Sequence, residues 1–219
     1  MKKSAFLLVF SFLVLSFSPA QAETEPWQLQ KLDKGISVYT QFAKGSDYKE
    51  LKAVCQIKTS LSSIIALSND VESYPKWSYK CENSRIIKEI SDQELIRYQS
   101  VTVPWPVDKR DMVVKAHSYQ DPKTGVVHQK VTCMAEAAPA VNGYVRVKEL
   151  RAMWTITPLK NGMVEVEYLL LVDPGGSVPA WVVNLAVVDG PYETALKMKE
   201  FVMKEKYQSA VYSFISEPK

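Results

Sequence analysis

The stretch Asp173-Pro174-Gly175-Gly176-Ser177-Val178-Pro179-Ala180-Trp181-Val182-Val183-Asn184 marks a change from strand to helix in this chain. Its Pro-Gly-Gly start is a turn signal, because glycine adopts positive φ angles without a steric penalty. Ser177 and Pro179 are typical of the first turn of a helix. The apolar residues that follow predict a long helix running towards Phe214. We expect the Gly190-Pro191 pair to kink this helix.

The residues before this stretch predict a series of strands. β-Branched and aromatic residues are frequent, and turn-forming residues such as those at 121–125 and 161–162 separate the segments. Short connections between successive strands require antiparallel pairing. The predicted strands are 36–42, 51–57, 86–90, 95–103, 112–119, 126–134, 145–157 and 164–172.

Two shorter helices are predicted nearer the N-terminus. Residues 25–32 have Pro26 near their start and Gly35 beyond their end, which is typical of a helix. Ser60 is a favourable N-cap for a second helix with apolar residues at helical spacing. The whole order of elements predicts an α+β fold, in which a curved antiparallel sheet is closed on its concave side by the C-terminal helix.

The first 22 residues have the composition of a secretory signal peptide. Lys2 and Lys3 precede an apolar run, and Ala20-Gln21-Ala22 ends it. The run is too short to cross a bilayer as a helix, which needs about 20 residues; an uncleaved anchor is the alternative. We therefore expect an exported protein, periplasmic or secreted, with a signal peptide at residues 1–22 and one domain at 23–219.

The charge balance argues against a nucleic-acid binder. The net charge is +3, and it falls to +1 when Lys2 and Lys3 are removed with the signal peptide. A nucleic-acid-binding domain carries a basic stripe, and a near-neutral domain also does not dock on membranes by charge alone.

Three cysteines, Cys55, Cys81 and Cys133, would meet oxidising conditions in an exported chain. At most one internal disulfide can form, and the sequence does not choose among the three pairings. All three cysteines can equally be small buried hydrophobic residues.

Two segments resemble the START (StAR-related lipid-transfer) domain family. Residues 103–113, Val-Pro-Trp-Pro-Val-Asp-Lys-Arg-Asp-Met-Val, look like its P-x-P…R-D-[FYM]-V segment. Residues 173–184 look like its [DN]-P-G-G-x-[IV]-P-x-W-[LIV]-[IVL]-N segment. The resemblance covers nearly the whole chain from Trp27 onward, and phosphatidylcholine-transfer-type members are the most similar in these two segments. Shorter matches fall in the expected order at Lys52-Ala53, Lys76-Trp77, Val145-Arg146 and Trp154-Thr155-Ile156-Thr157-Pro158.

The resemblance implies a helix-grip fold, with an internal hydrophobic cavity between a strongly bent sheet and the C-terminal helix. It implies that the protein binds and transfers a lipid without chemistry or a cofactor. It also implies that Arg110, the arginine of the R-D segment, contacts the phosphate of a phospholipid. The charged pair of cholesterol-type members has no clear counterpart, because the position six after Arg110 is Ala116. The ligand, whether phospholipid, sterol or another hydrophobic molecule, is left open.

Residue chemistry suggests which side chains would bind the ligand. Arg110 can take an anionic headgroup through two parallel hydrogen bonds. Alternatively, Arg110 and Asp111 form a local ion pair, which would also neutralise the arginine when the pocket is empty. Asn184 is an amide in an apolar helix segment and needs a partner, either the ligand or a loop carbonyl. The other candidates are large aromatic or apolar residues that can also be ordinary core packing: Trp105, Trp154, Tyr168, Trp181, Leu185 and Val188.

Catalytic and metal-binding motifs are missing from the sequence. His117 and His128 have polar neighbours on predicted strands, which is typical of a solvated strand face, and no zinc-ligand spacing, G-x-S-x-G elbow or Walker loop occurs. We therefore expect a monomeric, non-enzymatic lipid carrier without a metal. The alternatives are a sensor of ligand occupancy and an enzyme on a related cavity. The enzyme would use His117, Tyr168, Glu149 and Arg151.

The long helix is also expected to touch a membrane transiently. Its first three turns, residues 178–188, are apolar nearly all round, and their outer face carries Val183, Ala186 and Val187. An exposed apolar face is unfavourable in water. Either this face packs under the loop that contains Trp105, or the face and Trp105 enter a bilayer together.

Overall fold

The computed structural model describes residues 26–103, 107–176, 178, 183–184 and 188–218. Four helices are described, α1 (Leu61–Asn69), α2 (Tyr74–Trp77), α3 (Asp189–Phe201) and α4 (Glu205–Gln208). None of these helices is long and apolar enough to cross a membrane. The ten strands are β1 (Gln28–Asp33), β2 (Ile36–Phe42), β3 (Lys49–Lys58), β4 (Cys81–Ser91), β5 (Glu94–Val101), β6 (Lys109–Gln120), β7 (Val127–Cys133), β8 (Tyr144–Arg146), β9 (Glu149–Pro158) and β10 (Met163–Asp173).

The strands form one sheet in the order β1-β2-β3-β10-β9-β7-β6-β5-β4. All neighbours along this path are antiparallel, and β8 lies outside it, parallel to β6. The register shifts between β1 and β2 and between β4 and β5, and such bulges bend and twist a sheet. The predicted α+β class, with an antiparallel sheet and a C-terminal helix, is confirmed.

One face of the sheet carries the core, because its strands bury alternate residues. In β3 these are Leu51, Ala53, Cys55 and Ile57, which share one face of the pleat. Helix α3 packs against β2 and β3. The face of the sheet that α3 covers is called the inner face below.

Helix α1 begins where the sequence predicts it. The Ser60 hydroxyl accepts a hydrogen bond from the Ser63 N–H at 3.0 Å. The carboxylate of Glu217 accepts the N–H groups of Leu61 and Ser62 at 3.0 and 2.8 Å. An acidic group at this end of a helix is stabilised by the helix dipole, so the C-terminal tail is tied to the start of α1.

The helix predicted at residues 25–32 is wrong, because this segment contains strand β1. Asp33 pairs with Ile36 in a hairpin with β2, and the two residues between them, Lys34 and Gly35, have φ angles of 49° and 70°. Two consecutive positive φ angles are typical of a type I′ hairpin turn. The glycine that resembled a helix stop is therefore part of a hairpin turn.

The strand predicted at residues 145–157 is two strands. β8 pairs in parallel with the start of β6, whereas β9 lies between β7 and β10. The change of partner requires a break at residues 147–148, which propensity along the chain does not reveal.

The predicted C-terminal helix ends earlier than expected, and the kink predicted at Gly190-Pro191 stays a prediction, because residues 185–187 just before α3 lie outside the described residues. Gly190 and Pro191 lie in the first turn of α3, where a missing proline N–H breaks no hydrogen bond. Helix α3 ends at Phe201, and the extended backbone of Lys204 (φ −66°, ψ 140°) separates it from α4. Phe214 is not helical. Residues 183–184 of the predicted helix are helical, whereas 177, 179–182 and 185–187 lie outside the described residues.

The three cysteines are free thiols, with Cys55 and Cys81 buried and Cys133 partly exposed. Burial raises the pKa of both the Cys55 and Cys81 thiols to about 11. These two thiols are therefore protonated at neutral pH and behave as small core residues.

Asp70 joins the C-terminal segment to the end of α1. Its carboxylate accepts hydrogen bonds from the hydroxyls of Tyr207 and Ser73, both at 2.7 Å, and from Lys206 Nζ. Burial raises the pKa of Asp70, but the hydrogen bonds from Lys206, Ser73 and Tyr207 together lower it more, so the net shift is downward.

We expect Asp70→Asn to lower the free energy of unfolding by about 2 kcal/mol near pH 7, because charged hydrogen bonds are lost at a partly screened site. The folded pKa of Asp70 is below the unfolded value of about 3.9, so this contribution is present above the unfolded value and is lost as the pH falls through the folded one.

Urea unfolding of both proteins near pH 7 and near pH 3 measures this difference. The exposed Asp92, which accepts one hydrogen bond from Ser213 at 2.9 Å, supplies the control variant Asp92→Asn. An equal destabilisation by Asp70→Asn at both pH values would contradict the ionic account.

Candidate functional site

The candidate site lies between the inner face of the sheet and α3. A cavity of about 10 Å³ separates them, which is room for about one water molecule. The lining residues are mostly apolar. They are Ala53, Cys55, Trp154, Val166 and Tyr168 from the sheet and Pro191, Thr194, Ala195 and Met198 from α3.

Two of the predicted ligand-binding residues, Trp154 and Tyr168, line this cavity. They are directly opposite each other on β9 and β10, and their ring centres are 4.3 Å apart. Burial raises the pKa of Tyr168, an effect that the positive charge of Arg97 opposes. The Tyr168 hydroxyl is therefore uncharged. The rings of Tyr168 and Trp154 form an aromatic surface that suits an apolar ligand with a polar end.

Arg110 is buried, with 4% of its surface exposed, and backbone carbonyls surround its guanidinium. Nε donates to Pro174 O at 3.2 Å, Nη2 donates to Gly175 O at 3.0 Å, and Nη1 donates to Asp108 O. Burial lowers the pKa of Arg110, and Asp108 opposes this shift. Through these hydrogen bonds the Arg110 guanidinium holds the turn at residues 173–176 against the start of β6.

The alternative prediction, a local ion pair between Arg110 and Asp111, is wrong. Successive residues of a strand point to opposite faces, and Asp111 instead accepts two hydrogen bonds from Arg146 of β8, from Nε and Nη2, both at 2.9 Å. Arg146 also donates to three carbonyls of the 135–139 segment. The Asp111 contact raises the pKa of Arg146. Asp111 is 1% exposed, so this buried ion pair fixes β8 and the preceding loop.

Asn184 holds the loop between β2 and β3. Its Oδ1 accepts the Lys49 N–H at 2.9 Å, and its Nδ2 donates to Asp47 O at 3.0 Å. The partner of the Asn184 amide is therefore the loop backbone, which is one of the two partners predicted from the sequence. Val188 is partly buried against the core just before α3. The remaining candidates, Trp105, Trp181 and Leu185, lie outside the described residues.

The residues of the enzyme alternative are dispersed in the structure. His117, Glu149 and Arg151 are exposed, whereas Tyr168 faces the cavity. Within the described ranges, no group of three His, Cys, Asp or Glu side chains is placed to hold a metal ion. The structure therefore does not bring these four side chains together at one site.

Arg97, in the middle of β5, is an interior residue that the sequence analysis missed. It is 6% exposed, and its Nε and Nη1 find no hydrogen-bond acceptor among the described residues. Its guanidinium carbon lies 4.9 Å from the ring centre of Tyr74. The alternation Leu95, Arg97, Gln99 along one strand face could have indicated a charge beside apolar inner-face residues.

Comparison with known proteins gives the same fold. The START domain profile matches residues 14–206. An uncharacterized protein of Pseudomonas aeruginosa is 33% identical over 173 residues, which cover 79% of this chain and 85% of that protein. The phosphatidylcholine transfer protein of Mus musculus is 27% identical over 174 residues, covering 75% of this chain and 78% of the relative.

A crystal structure of a STAR-related lipid transfer protein from Xanthomonas axonopodis superposes with a TM-score of 0.76 at 27% identity. The superposition covers 82% of this chain and 100% of that chain. The family match over residues 14–206 and this superposition agree with the resemblance seen in the two sequence segments. This chain belongs to the START domain family.

Proposed function

We propose that this protein binds one lipid between the inner face of the sheet and α3 and carries it between membranes without altering it. The observation that supports this most is the mostly apolar interface under α3, with the paired rings of Trp154 and Tyr168 on its sheet side. Each methylene group removed from water contributes roughly 0.8 kcal/mol, so an acyl chain needs few polar contacts. The relatives named as lipid transfer proteins support the same function.

A lipid requires α3 to move. The cavity of about 10 Å³ is far smaller than the roughly 300–1,000 Å³ typical of ligand pockets. A hydrogen bond at the edge of α3 opposes this movement, because the Tyr192 hydroxyl donates to the Asp33 carboxylate of β1. Lys31 Nζ lies 3.6 Å from the centre of the Tyr192 ring on the same side. These polar contacts lie at the edge of α3, where Tyr192 is 4% exposed, and they can break while the apolar side of α3 stays shielded.

Lipid transfer also depends on the compartment in which the protein is located and on its contact with a membrane. Residues 1–22 support export to the periplasm or the medium, because they combine a basic start, an apolar run and an A-x-A ending. Contact between the outer face of the predicted helix and a bilayer stays a prediction. Of that face, Val183 is described, as a partly buried helical residue, and Ala186 and Val187 lie outside the described residues.

A direct test is native mass spectrometry of the protein purified from its host without detergent. We expect a mass increment of one lipid, released on organic extraction, and transfer of that lipid between donor and acceptor vesicles. A protein that carries no lipid and transfers none from vesicles of the host's own lipids would overturn the proposal.

We expect Tyr192→Phe to speed lipid exchange by roughly three- to tenfold, because one hydrogen bond that holds α3 closed is removed. The bond to Tyr192 is the main cause that lowers the pKa of Asp33. The contact therefore operates above the ordinary carboxyl pKa of about 3.9 and weakens as the pH falls through the lowered value. Exchange by the unmodified protein should accelerate below about pH 4, and the variant should lack this acceleration.

Exchange rates follow from the fluorescence of a labelled lipid mixed with unlabelled vesicles. Tyr212→Phe is the matched control, since its hydroxyl makes only a 3.5 Å contact with Asn69, away from α3. Equal exchange rates for Tyr192→Phe and the unmodified protein at every pH would show that this bond does not limit opening.

The exported protein should begin at Glu23. The motivation is the Ala20-Gln21-Ala22 sequence after the apolar run. Intact-mass measurement of the protein from the periplasmic or medium fraction decides this, and a full-length mass in the membrane fraction would favour the uncleaved anchor.

A further inference from the structure

Arg97 carries a charge that the described protein does not neutralise. Its side chain is 6% exposed, and Nε and Nη1 are buried without an acceptor in the described part of the chain. None of the four ion pairs found among the described residues includes it. A buried charge without a partner is strongly unfavourable, so its presence on the inner face needs an explanation.

The Arg97 guanidinium lies over an aromatic ring whose hydroxyl is already engaged. The Tyr74 ring lies 4.9 Å from the guanidinium carbon, and its hydroxyl already donates to Ser68 O at 2.6 Å. The Tyr74 ring also meets the edge of Trp77 at a centroid distance of 4.9 Å, and Trp77 Nε1 is a further buried donor without an acceptor among the described residues. Arg97 Nε, Arg97 Nη1 and Trp77 Nε1 are therefore three buried donor nitrogens around the Tyr74 ring that have no acceptor among the described residues.

Arg97 faces the same interior as the cavity under α3. Strands β5 and β10 are four neighbours apart in the sheet, which is roughly 19 Å along the hydrogen-bonding direction. The Arg97 side chain nevertheless shares a sheet face with Val114, its partner on β6, and Val114 belongs to the same buried core as Trp154 and Val166, which line the cavity. Arg97 therefore lies on the core face of the sheet.

Arg97 also differs from the arginine that the family resemblance points to. Arg110 donates to three carbonyls, whereas Arg97 has two buried guanidinium nitrogens, Nε and Nη1, without a partner among the described residues. A planar guanidinium matches a carboxylate or a phosphate through two parallel hydrogen bonds.

We propose that Arg97 is the anion receptor of the interior, and that the bound lipid carries an anionic headgroup, a carboxylate or a phosphate, that pairs with its guanidinium beside Tyr74. The inference rests on the proposed function, because it names the ligand class of the same site. Tyr74 then borders the headgroup, and the apolar surface under α3, with Trp154 and Tyr168, takes the hydrocarbon.

The test compares the unmodified protein with Arg97→Met, which keeps the length of the side chain without its charge, and with Arg97→Lys, which keeps the charge. Arg85→Met is the matched control, since Arg85 is an exposed arginine on the neighbouring strand β4, 4.1 Å from the ring centre of Tyr98. The probes are oleic acid, vesicles containing dioleoylphosphatidylglycerol, and the neutral monooleoylglycerol.

We expect the unmodified protein and Arg85→Met to bind at least one of the two anionic lipids at least tenfold more tightly than monooleoylglycerol. Arg97→Met should lose that preference while its binding of monooleoylglycerol is unchanged, and Arg97→Lys should keep part of it. The two anionic probes distinguish a carboxylate ligand from a phosphate ligand.

Thermal unfolding of the lipid-free proteins separates a ligand-binding role from a structural one. Because Arg97→Met removes an unpaired buried charge, its midpoint should rise, by about 2–4 °C or more. A midpoint that falls, together with equal loss of all three lipids, would assign Arg97 a structural role and overturn the inference.

A wild-type protein that binds monooleoylglycerol as tightly as the anionic lipids would also overturn the inference, while leaving the proposed function intact. Failure of the unmodified protein to bind any of the three probes or the host's own lipids would instead overturn the proposed function.

Discussion

Eight residue pairs join β3 to β10, from Lys58 with Met163 to Leu51 with Leu170. This contact connects the N-terminal strands to the long run of strands that follows α2, and without it the sheet would be two separate pieces. It also places Ala53 and Cys55 beside Val166 and Tyr168, the surface on which α3 lies. Chain-closure entropy makes such a distant pairing unfavourable on its own, so burial of the shared inner face has to offset it.

The polar groups inside this fold fall into two sets with different consequences. Arg110 and the Asp111–Arg146 pair are buried with their hydrogen bonds satisfied, and they fix the loops around the start of β6. Arg97 and Trp77 Nε1 are buried with donors that the described chain leaves without acceptors. Unsatisfied groups reduce stability, and they are retained where a binding site has to stay ready for a partner.

Helix α3 shows how an apolar closure can also open. Its inner side rests on small and aromatic residues of the sheet with a cavity between them, and its edges are held by single polar contacts, such as Tyr192 with Asp33 and the Tyr79 N–H with the Thr194 hydroxyl at 3.1 Å. Each such hydrogen bond contributes only about 1–3 kcal/mol. Under the proposed function, α3 releases these contacts when a lipid offers a larger apolar surface.

Local features of the fold were predictable from the sequence, because their causes lie within a few residues. The strand segments, the Ser60 cap and the turns at 121–125 and 161–162 follow from side-chain alternation and turn chemistry. The family resemblance, carried by two segments, supplied the sheet and the C-terminal helix around a shared interior. It also implied Arg110 as a phosphate ligand, although the structure gives this arginine three backbone carbonyls.

Tertiary contacts decided the rest. Residues 28–33 form a strand because they pair with β2 in a hairpin whose turn is Lys34 and Gly35. In the sequence alone, Gly35 is equally consistent with the end of a helix. Asp111 found its partner in Arg146, 35 residues away, since the parallel β6–β8 pairing puts both side chains together. The alternation of Leu95, Arg97 and Gln99 could indicate the face of the strand on which Arg97 lies, but not the burial of its charge. Only the assembled sheet and the helices packed on it bury this charge without a partner among the described residues, because burial is a property of the assembled structure and not of the residue.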